Sequence, residues 1–524
     1  MLDNATNKKY LILFLFALSF IVYARTLNYG FVWDDERIHL TSNQQLMQGD
    51  IKSFWSKPYS GMYIPVSYTT WAFVKNTSDH NTELSPKPFH LLNILTHSIN
   101  CILVFQLLLL LFKNQAHAFW ASILFLLHPI QVESVAWISE FRGLCSAFFS
   151  LLALIGVFKY FEKNLVFTLR SFITSRHFII ASFLFVLALL SKPSAIVLPC
   201  VAGVLAWRFY RDNFKTIWKG LLIWVLLLLP ILVITKASQP NDLAYSGISL
   251  WQRFFIAGDS FFFYFSKLVF PYPLAVCYGN TPELIVSDKL IYLTTAVCLA
   301  IVCFLFIKRK LYPLLFSGVA IIVICVLPVL GLVPFEYQKH ATVADRYVYF
   351  GMLGVALFVP LIMERVKQHA WLKFSLLAVL LFYLVLNIQQ TTTWKNEFTV
   401  WDHTLKHYQN SSKVYYNRGV EYSKMKKYPE AISDYTNSLV LEPRYLDALF
   451  NRANAYENVN NTVSAFYDYN TYLSIDANDG SVYFKRAHLN YKTGNIQEAI
   501  ADVEKAERLG FPVSAKFKKK LHEH

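Results

Sequence analysis

The chain has 524 residues, 55% of them hydrophobic and only 16% charged, with a mean hydropathy of +0.36 and a formal net charge of +15. Soluble globular domains carry about 25% charged residues, so this composition excludes an ordinary soluble enzyme. Much of the positive charge sits in short gaps between apolar runs, which is the pattern of cytoplasmic loops and argues against nucleic acid as a partner. The seven cysteines lie in or beside apolar segments, odd in number and without a close pair, which reads as packing rather than a disulfide framework or zinc site.

Lys8 and Lys9 precede an apolar run from Leu11 to Tyr23, and Ala24-Arg25-Thr26 is a poor cleavage site. The expectation is an uncleaved first helix that starts in the cytoplasm. A span needs roughly 20 mainly apolar residues. Runs of this kind fall near 10–28, 91–112, 117–138, 143–161, 178–192, 194–210 and 218–236, then near 289–307, 312–333, 345–363 and 372–389. The gap 162–177 holds Lys163, Arg170 and Arg176, and the gap 208–219 holds Arg208, Arg211 and Lys215, which puts both inside. In region 238–288, the aromatic stretch Trp251 to Phe270 is interrupted by Arg253, Asp259 and Lys267. Read as an interfacial or re-entrant helix, it keeps Lys308-Arg309-Lys310 and the trio Glu364, Arg365 and Lys367 inside. About 11 spans result, and an odd number places the tail on the same non-cytoplasmic face as loop 29–90.

Composition turns polar after residue 395. The division is a membrane domain over 1–390, a connector over 391–410 and a soluble tail over 411–524. In the tail, Arg418, Arg452 and Arg486 recur every 34 residues, as do Ala431, Ala465 and Ala499, and Asp434, Asp468 and Asp502. That period with small residues at helix crossings is the signature of the tetratricopeptide (TPR) helix pair, three copies here followed by a basic end. The fold class is thus all-α, a polytopic transmembrane bundle followed by a short TPR solenoid whose concave surface suits a peptide.

Ionisable groups at membrane depth are costly and mark function by default. Asp34 and Asp35 open the first outer loop, a pair suited to a general base and permitting a divalent cation (Mg or Mn) at Asp35 without requiring one. His128, Glu133, Glu140 and Arg142 bracket the turn between the third and fourth helices, Lys192 sits at the next outer turn, and Arg346 follows Asp345. His90, Asn93 and His97 share one helical stripe at i, i+3 and i+7. Acids and cations on one face suit a site that activates a hydroxyl and holds a phosphate.

These motifs together resemble the bacterial relatives of the TMTC proteins, which join a GT-C-type glycosyltransferase domain to TPR repeats. The resemblance is carried by FVWDD at 31–35 with Asn43, YIPVSY at 63–68, FHLLNILTH at 89–97 and HPIQVESVAWISE at 128–140. It continues through LLSKPSAIVLP at 189–199, FPYPLAV at 270–276, ADRYVYF at 344–350 and the repeats. It departs at Ile64, where relatives often have Arg, and at Phe141 and Gly143, where polar residues are common. The resemblance implies transfer of a hexose from a polyprenyl-phosphate donor to an acceptor hydroxyl, a protein Ser or Thr, on the outer face of a bacterial inner membrane. It implies that Asp34 or Asp35 is the base, with inversion at the sugar. The leaving phosphate is expected to meet Lys192, Arg346, Arg142 and His128, with His90 and His97 also near substrate. Glu133 is expected to contact the acceptor or a metal, and the TPRs to bind the acceptor protein. Two other readings stand beside this one. A non-enzymatic membrane-anchored TPR scaffold needs only one or two spans, and a transporter predicts midplane polar groups and symmetric halves.

Overall fold

The computed structural model describes residues 4–78, 84–163, 168–238 and 248–523. Among them every regular element is helical, with a single isolated bridge between Tyr59 and Met62. Two compact units result: Met1–Val276 with Asn280–Asn396, and Cys277–Gly279 with Glu397–His524.

In the first unit, six helices among the described residues are long and apolar enough to cross a membrane: Asn7–Asn28, Lys87–Phe112, Ile138–Glu162, Arg211–Ser238, Leu290–Ile307 and Trp371–Thr393. Gln115–Leu127 and Pro129–Ala136 form a seventh if taken as one span bent by 57°. The bend follows from Pro129, which lacks an N–H and pushes His128 out of the helical region, to ψ 123°. The expected count of about 11 is therefore not reached by length and composition. Arg176–Ser191, Pro193–Phe209 and Pro313–Val329 are shorter apolar helices. Residues 345–363 are broken into a 3-10 turn, Asp345–Tyr347, and the helices Met352–Ala356 and Val359–Gln368. Hydropathy averages over such breaks.

Leu250–Val269 is one amphipathic helix, opened by a capping box between Ser249 and Gln252. Its charges are turned inward: Arg253 donates to the Gly331 carbonyl and Lys267 Nζ to the Pro273 carbonyl at 2.8 Å, while Trp251, Phe254 and Val269 are exposed. Elsewhere the packing is that of membrane helices, which associate through small residues and buried polar pairs rather than the hydrophobic effect. Ser98 bonds Ser19 at 3.0 Å and Asn387 bonds the Tyr23 hydroxyl at 2.9 Å. Gly354 abuts helix Pro313–Val326 so closely that a Cβ there would lie 2.4 Å from the Gly318 carbonyl oxygen.

The second unit is the solenoid. Its pairs are Ser412–Lys424 with Tyr428–Leu441, Leu446–Asn458 with Thr462–Ile475, and Gly480–Lys492 with Ile496–Arg508, followed by Ala515–His522. Small residues at the crossings let the helices meet: a Cβ on Gly419 would lie 2.8 Å from the Tyr435 ring, and Ala453 and Ala487 hold the matching positions fully buried. The repeating arginine and aspartate form a two-pronged ion pair in each copy. Arg452 reaches Asp468 at 2.8 and 2.7 Å, and Arg418–Asp434 and Arg486–Asp502 repeat the geometry. The remaining guanidinium nitrogen reaches back one repeat, from Arg418 to Asp402 (3.2 Å), from Arg452 to Thr436 (3.0 Å) and from Arg486 to Asn470 (2.6 Å). Asp402 stands in the helix Glu397–His407, so the repeat register begins upstream of residue 411. Arg452→Ala leaves Asp468 buried without its counter-charge, at a cost of about 3 kcal/mol. Hydrogen exchange in the helices Leu446–Asn458 and Thr462–Ile475 is expected to speed up by about 100-fold. An unchanged rate would show that the fork adds nothing to the solenoid.

Candidate active site

The acidic pair sits on a strained turn. Trp33 has a φ of 54°, in the left-handed region that costs a bulky residue about 1–2 kcal/mol. Its ring is held flat against Trp137 (5.4 Å between centroids, 6° between planes), and the Trp137 indole N–H donates to the Val32 carbonyl at 3.1 Å. Strain of this kind persists where surrounding packing over-determines it. The turn separates the two acids. Asp35 is buried: one oxygen accepts from the Val32 N–H at 3.0 Å and the other from the Ser139 N–H at 2.8 Å and the Ser139 hydroxyl. Burial pushes its carboxyl up to about 7, against the pull of those donors. Asp35 thus ties the first outer loop to the turn 128–140. Asp34, on the same turn, is half-buried.

One residue past Ser139 lies the centre of a buried charge cluster. Glu140 accepts from Lys192 Nζ at 2.7 Å and from Arg142 Nε and Nη2 at 3.3 Å each, and Arg346 Nε stands 3.9 Å away. Glu133 is clamped by Arg346 twice, by the guanidinium at 2.6 Å and by the main-chain N–H at 3.0 Å. The Arg346 guanidinium also faces the rings of Tyr337 (4.3 Å), Tyr347 (4.9 Å) and Trp137 (5.4 Å). Three cations against two carboxylates leave one positive charge in excess. The cluster extends to His39, whose Nε2 lies 3.2 Å from Arg142 Nη1 and whose Nδ1 lies 2.9 Å from the Tyr68 hydroxyl. Because Arg142 can only donate, Nε2 is the acceptor and the proton is on Nδ1. Burial, then the Arg142 charge, holds His39 well below its ordinary range, so the ring is neutral.

Lys192 and Arg346 form part of the wall of a narrow cavity of about 50 Å³. Its remaining lining is mostly small or apolar, with Gly143, Ser146, Ala147 and Ser150 on one helix and Ala195, Val197 and Leu198 on another; Cys325, Val329 and Phe350 close it together with Tyr347 and Tyr349. Gly143 makes room for the charges: a Cβ there would lie 2.9 Å from Glu140 Oε2 and 3.3 Å from Lys192 Nζ. Fixed cations at the edge of a narrow apolar slot suit an amphiphile with an anionic head.

Of the residues singled out from sequence, the fold brings Asp35, Glu133, Arg142, Lys192 and Arg346 into one connected network, with Asp34 beside it. The three histidines stand elsewhere. His97 Nδ1 bonds the Tyr349 hydroxyl at 2.8 Å amid Tyr23 and Phe125, His90 is buried edge-on to Tyr29, and neither lines the cavity. His128 caps its 3-10 turn by accepting from the Ile130 N–H, and its other nitrogen donates to the Leu268 carbonyl at 3.1 Å. Tyr337 and His39 carry no signal in the sequence, and Glu140 and Tyr347 stand out there only as neighbours of other candidates. A hard cation takes about six oxygen ligands. Both Asp35 oxygens already accept hydrogen bonds, and among the described residues no three His, Cys, Asp or Glu side chains converge, so the side chains alone form no preformed cage for Mg or Mn at Asp35.

Residues 412–445 and 480–509 match the family profile described as Tetratricopeptide repeat. The chain is similar to protein O-mannosyl-transferase F38B6.6 of Caenorhabditis elegans, 24% identical over 466 residues that cover 83% of this chain and 63% of that protein. It is similar to protein O-mannosyl-transferase TMTC3 of Mus musculus, 23% identical over 508 residues, 85% of this chain and 53% of the relative. Drosophila melanogaster Tmtc1, also a protein O-mannosyl-transferase, is 31% identical over 151 residues, 26% of this chain and 17% of that one. The chain therefore spans 63% or less of the length of these relatives. It is thus similar over most of its length to TMTC-type proteins, and its C-terminal unit carries tetratricopeptide repeats.

Proposed function

We propose, from the premise that its relatives are protein O-mannosyl-transferases, that this chain is an integral-membrane glycosyltransferase. It moves a hexose from a polyprenyl-phosphate donor to a protein hydroxyl on the non-cytoplasmic face, which in a bacterial cell is the periplasmic side. The observation that carries this reading is the three-cation, two-acid cluster at the edge of a narrow apolar cavity, one residue from the Asp35–Ser139 tie.

Asp34 takes the proton of the acceptor hydroxyl as its oxygen bonds to the anomeric carbon. The bond from that carbon to the phosphate oxygen breaks with its electron pair, and the configuration inverts. The lipid phosphate is a weak base and leaves without a proton. It needs fixed positive charge, supplied by Lys192 and Arg346, with Arg142 holding Glu140 in place. Asp35 positions the turn that carries Asp34. The excess of one positive charge in the cluster suits a group that becomes more anionic as it departs. The TPR solenoid presents the acceptor protein; transfer unaffected by removal of residues 411–524 would count against that part.

The test uses the full chain in lipid nanodiscs with radiolabelled polyprenyl-phosphate hexoses and an extract of envelope proteins. Label entering protein with the wild type and not with Asp34→Asn is the expected result. No turnover of any donor by folded protein would replace the enzyme with the scaffold. In the same assay Gly143→Ala is expected to cut transfer about tenfold or more, because its methyl displaces the Lys192–Glu140 pair from the cavity wall. Full activity in that variant would show that the pair is not needed in its present position.

A further inference from the structure

We infer that the membrane unit holds a second lipid site, unrelated to donor binding. The groove between helices Leu198–Phe209 and Phe214–Ser238 on one side and Leu290–Ile307 and Pro313–Val326 on the other seats an acyl chain of an anionic glycerophospholipid, whose phosphate meets Arg309, while Arg211 adds positive charge at the other end of the aromatic row.

The groove is an open one of about 360 Å³ and shares no lining residue with the cavity at Lys192 and Arg346. Its wall is aromatic, and Gly203 gives it depth, since Trp218 lies where a Cβ on residue 203 would come within 2.9 Å. Trp207 and Phe316 meet edge-on at 5.4 Å, and Phe316 meets Phe306 at 6.2 Å. A guanidinium sits over each end of this row. Arg211 lies 5.2 Å from the Trp207 ring and Arg309 lies 4.3 Å from the Phe306 ring.

These arginines differ from those of the charge cluster. Arg142 and Arg346 are each paired with a carboxylate, whereas no carboxylate stands within ion-pair distance of Arg211 or Arg309 among the described residues. Near Arg211 the buried Arg208 Nε has no hydrogen-bond partner. A guanidinium fork matches a phosphate in shape and charge. The two arginines come from separate loops that the positive-inside rule assigns to one side, the cytoplasmic leaflet, where anionic glycerophospholipids lie. The charge of the site and the lipid available to it therefore agree. Each basic residue near a membrane surface is worth roughly five-fold in attraction to such lipids, so two give roughly 25-fold.

The experiment delipidates the full chain, offers equimolar phosphatidylglycerol and phosphatidylcholine, and counts retained lipids by native mass spectrometry. The expected result is a preference of roughly 25-fold for phosphatidylglycerol, lost in Arg211→Gln/Arg309→Gln and largely kept in Arg211→Lys/Arg309→Lys. A second readout does not depend on those variants folding. Cys200 lines the groove and is exposed, so in a Cys303→Ser background phosphatidylglycerol, and not phosphatidylcholine, is expected to slow its alkylation at least five-fold. Equal retention of the two lipids, or alkylation indifferent to both, overturns the proposal. Displacement of phosphatidylglycerol by equimolar polyprenyl phosphate also overturns it, by assigning the groove to the carrier lipid.

Discussion

Asp34→Asn is expected to lower sugar transfer by about 100- to 10,000-fold, the range of a positioned general base, in protein that remains folded. Asp35→Asn is expected to do something different. Asp35 accepts three hydrogen bonds, one from Val32 within its own turn and two from Ser139 that join it to the turn 128–140, and an amide loses the charge assistance of those bonds, about 2–3 kcal/mol. That variant should lose stability together with activity, because the turn that aims Asp34 loosens. Radiolabel transfer and tryptophan-detected unfolding, run on both variants, separate the roles. Full transfer by Asp34→Asn, alongside inactive but stable Asp35→Asn, would exchange the two assignments.

Arg346→Gln should also produce two losses, and a second substitution separates them. Arg346 is the clamp on Glu133 and one of two cations on the cavity wall. Removing a fixed positive charge that meets developing negative charge costs about 100- to 1,000-fold in rate. Removing one partner of a buried pair costs about 3–5 kcal/mol, because Glu133 is left buried and charged. Adding Glu133→Gln removes that stranded charge. The double variant is expected to recover much of the stability and none of the transfer. Recovery of transfer with stability would make Arg346 a structural residue only.

Much of this was legible in the sequence for one physical reason: an ionisable side chain in an apolar chain is expensive and stands out. That reason picked out Glu133, Arg142, Lys192 and Arg346, which the fold gathers from three separate stretches. It equally picked out His97 and His128, which the fold uses to satisfy polar atoms between helices; sequence does not distinguish a buried histidine bonded to Tyr349 from one facing a substrate. Gly143 carries no side chain to signal its importance, and Trp33 shows no sign in sequence of its left-handed backbone. The break of 345–363 into three short pieces is hidden because apolar residues dominate its average. The repeats were plain because every copy must stack on the next with the same contacts, so Arg418, Arg452 and Arg486 had to keep one spacing. The acceptors one repeat back, Asp402, Thr436 and Asn470, escaped notice because an oxygen suffices there and three residue types provide it.

That tolerance has a consequence for the length of the solenoid. Each seam is closed by an arginine of one copy and any side-chain oxygen of the copy before it. Excising one whole 34-residue unit would set Arg452 against Asp402, and the joint would close again with a carboxylate in place of a hydroxyl. Duplicating a unit would add an identical joint. The array is built to grow or shrink by whole modules without new matching mutations, while an insertion of a single residue within a helix would break the joint on either side of it.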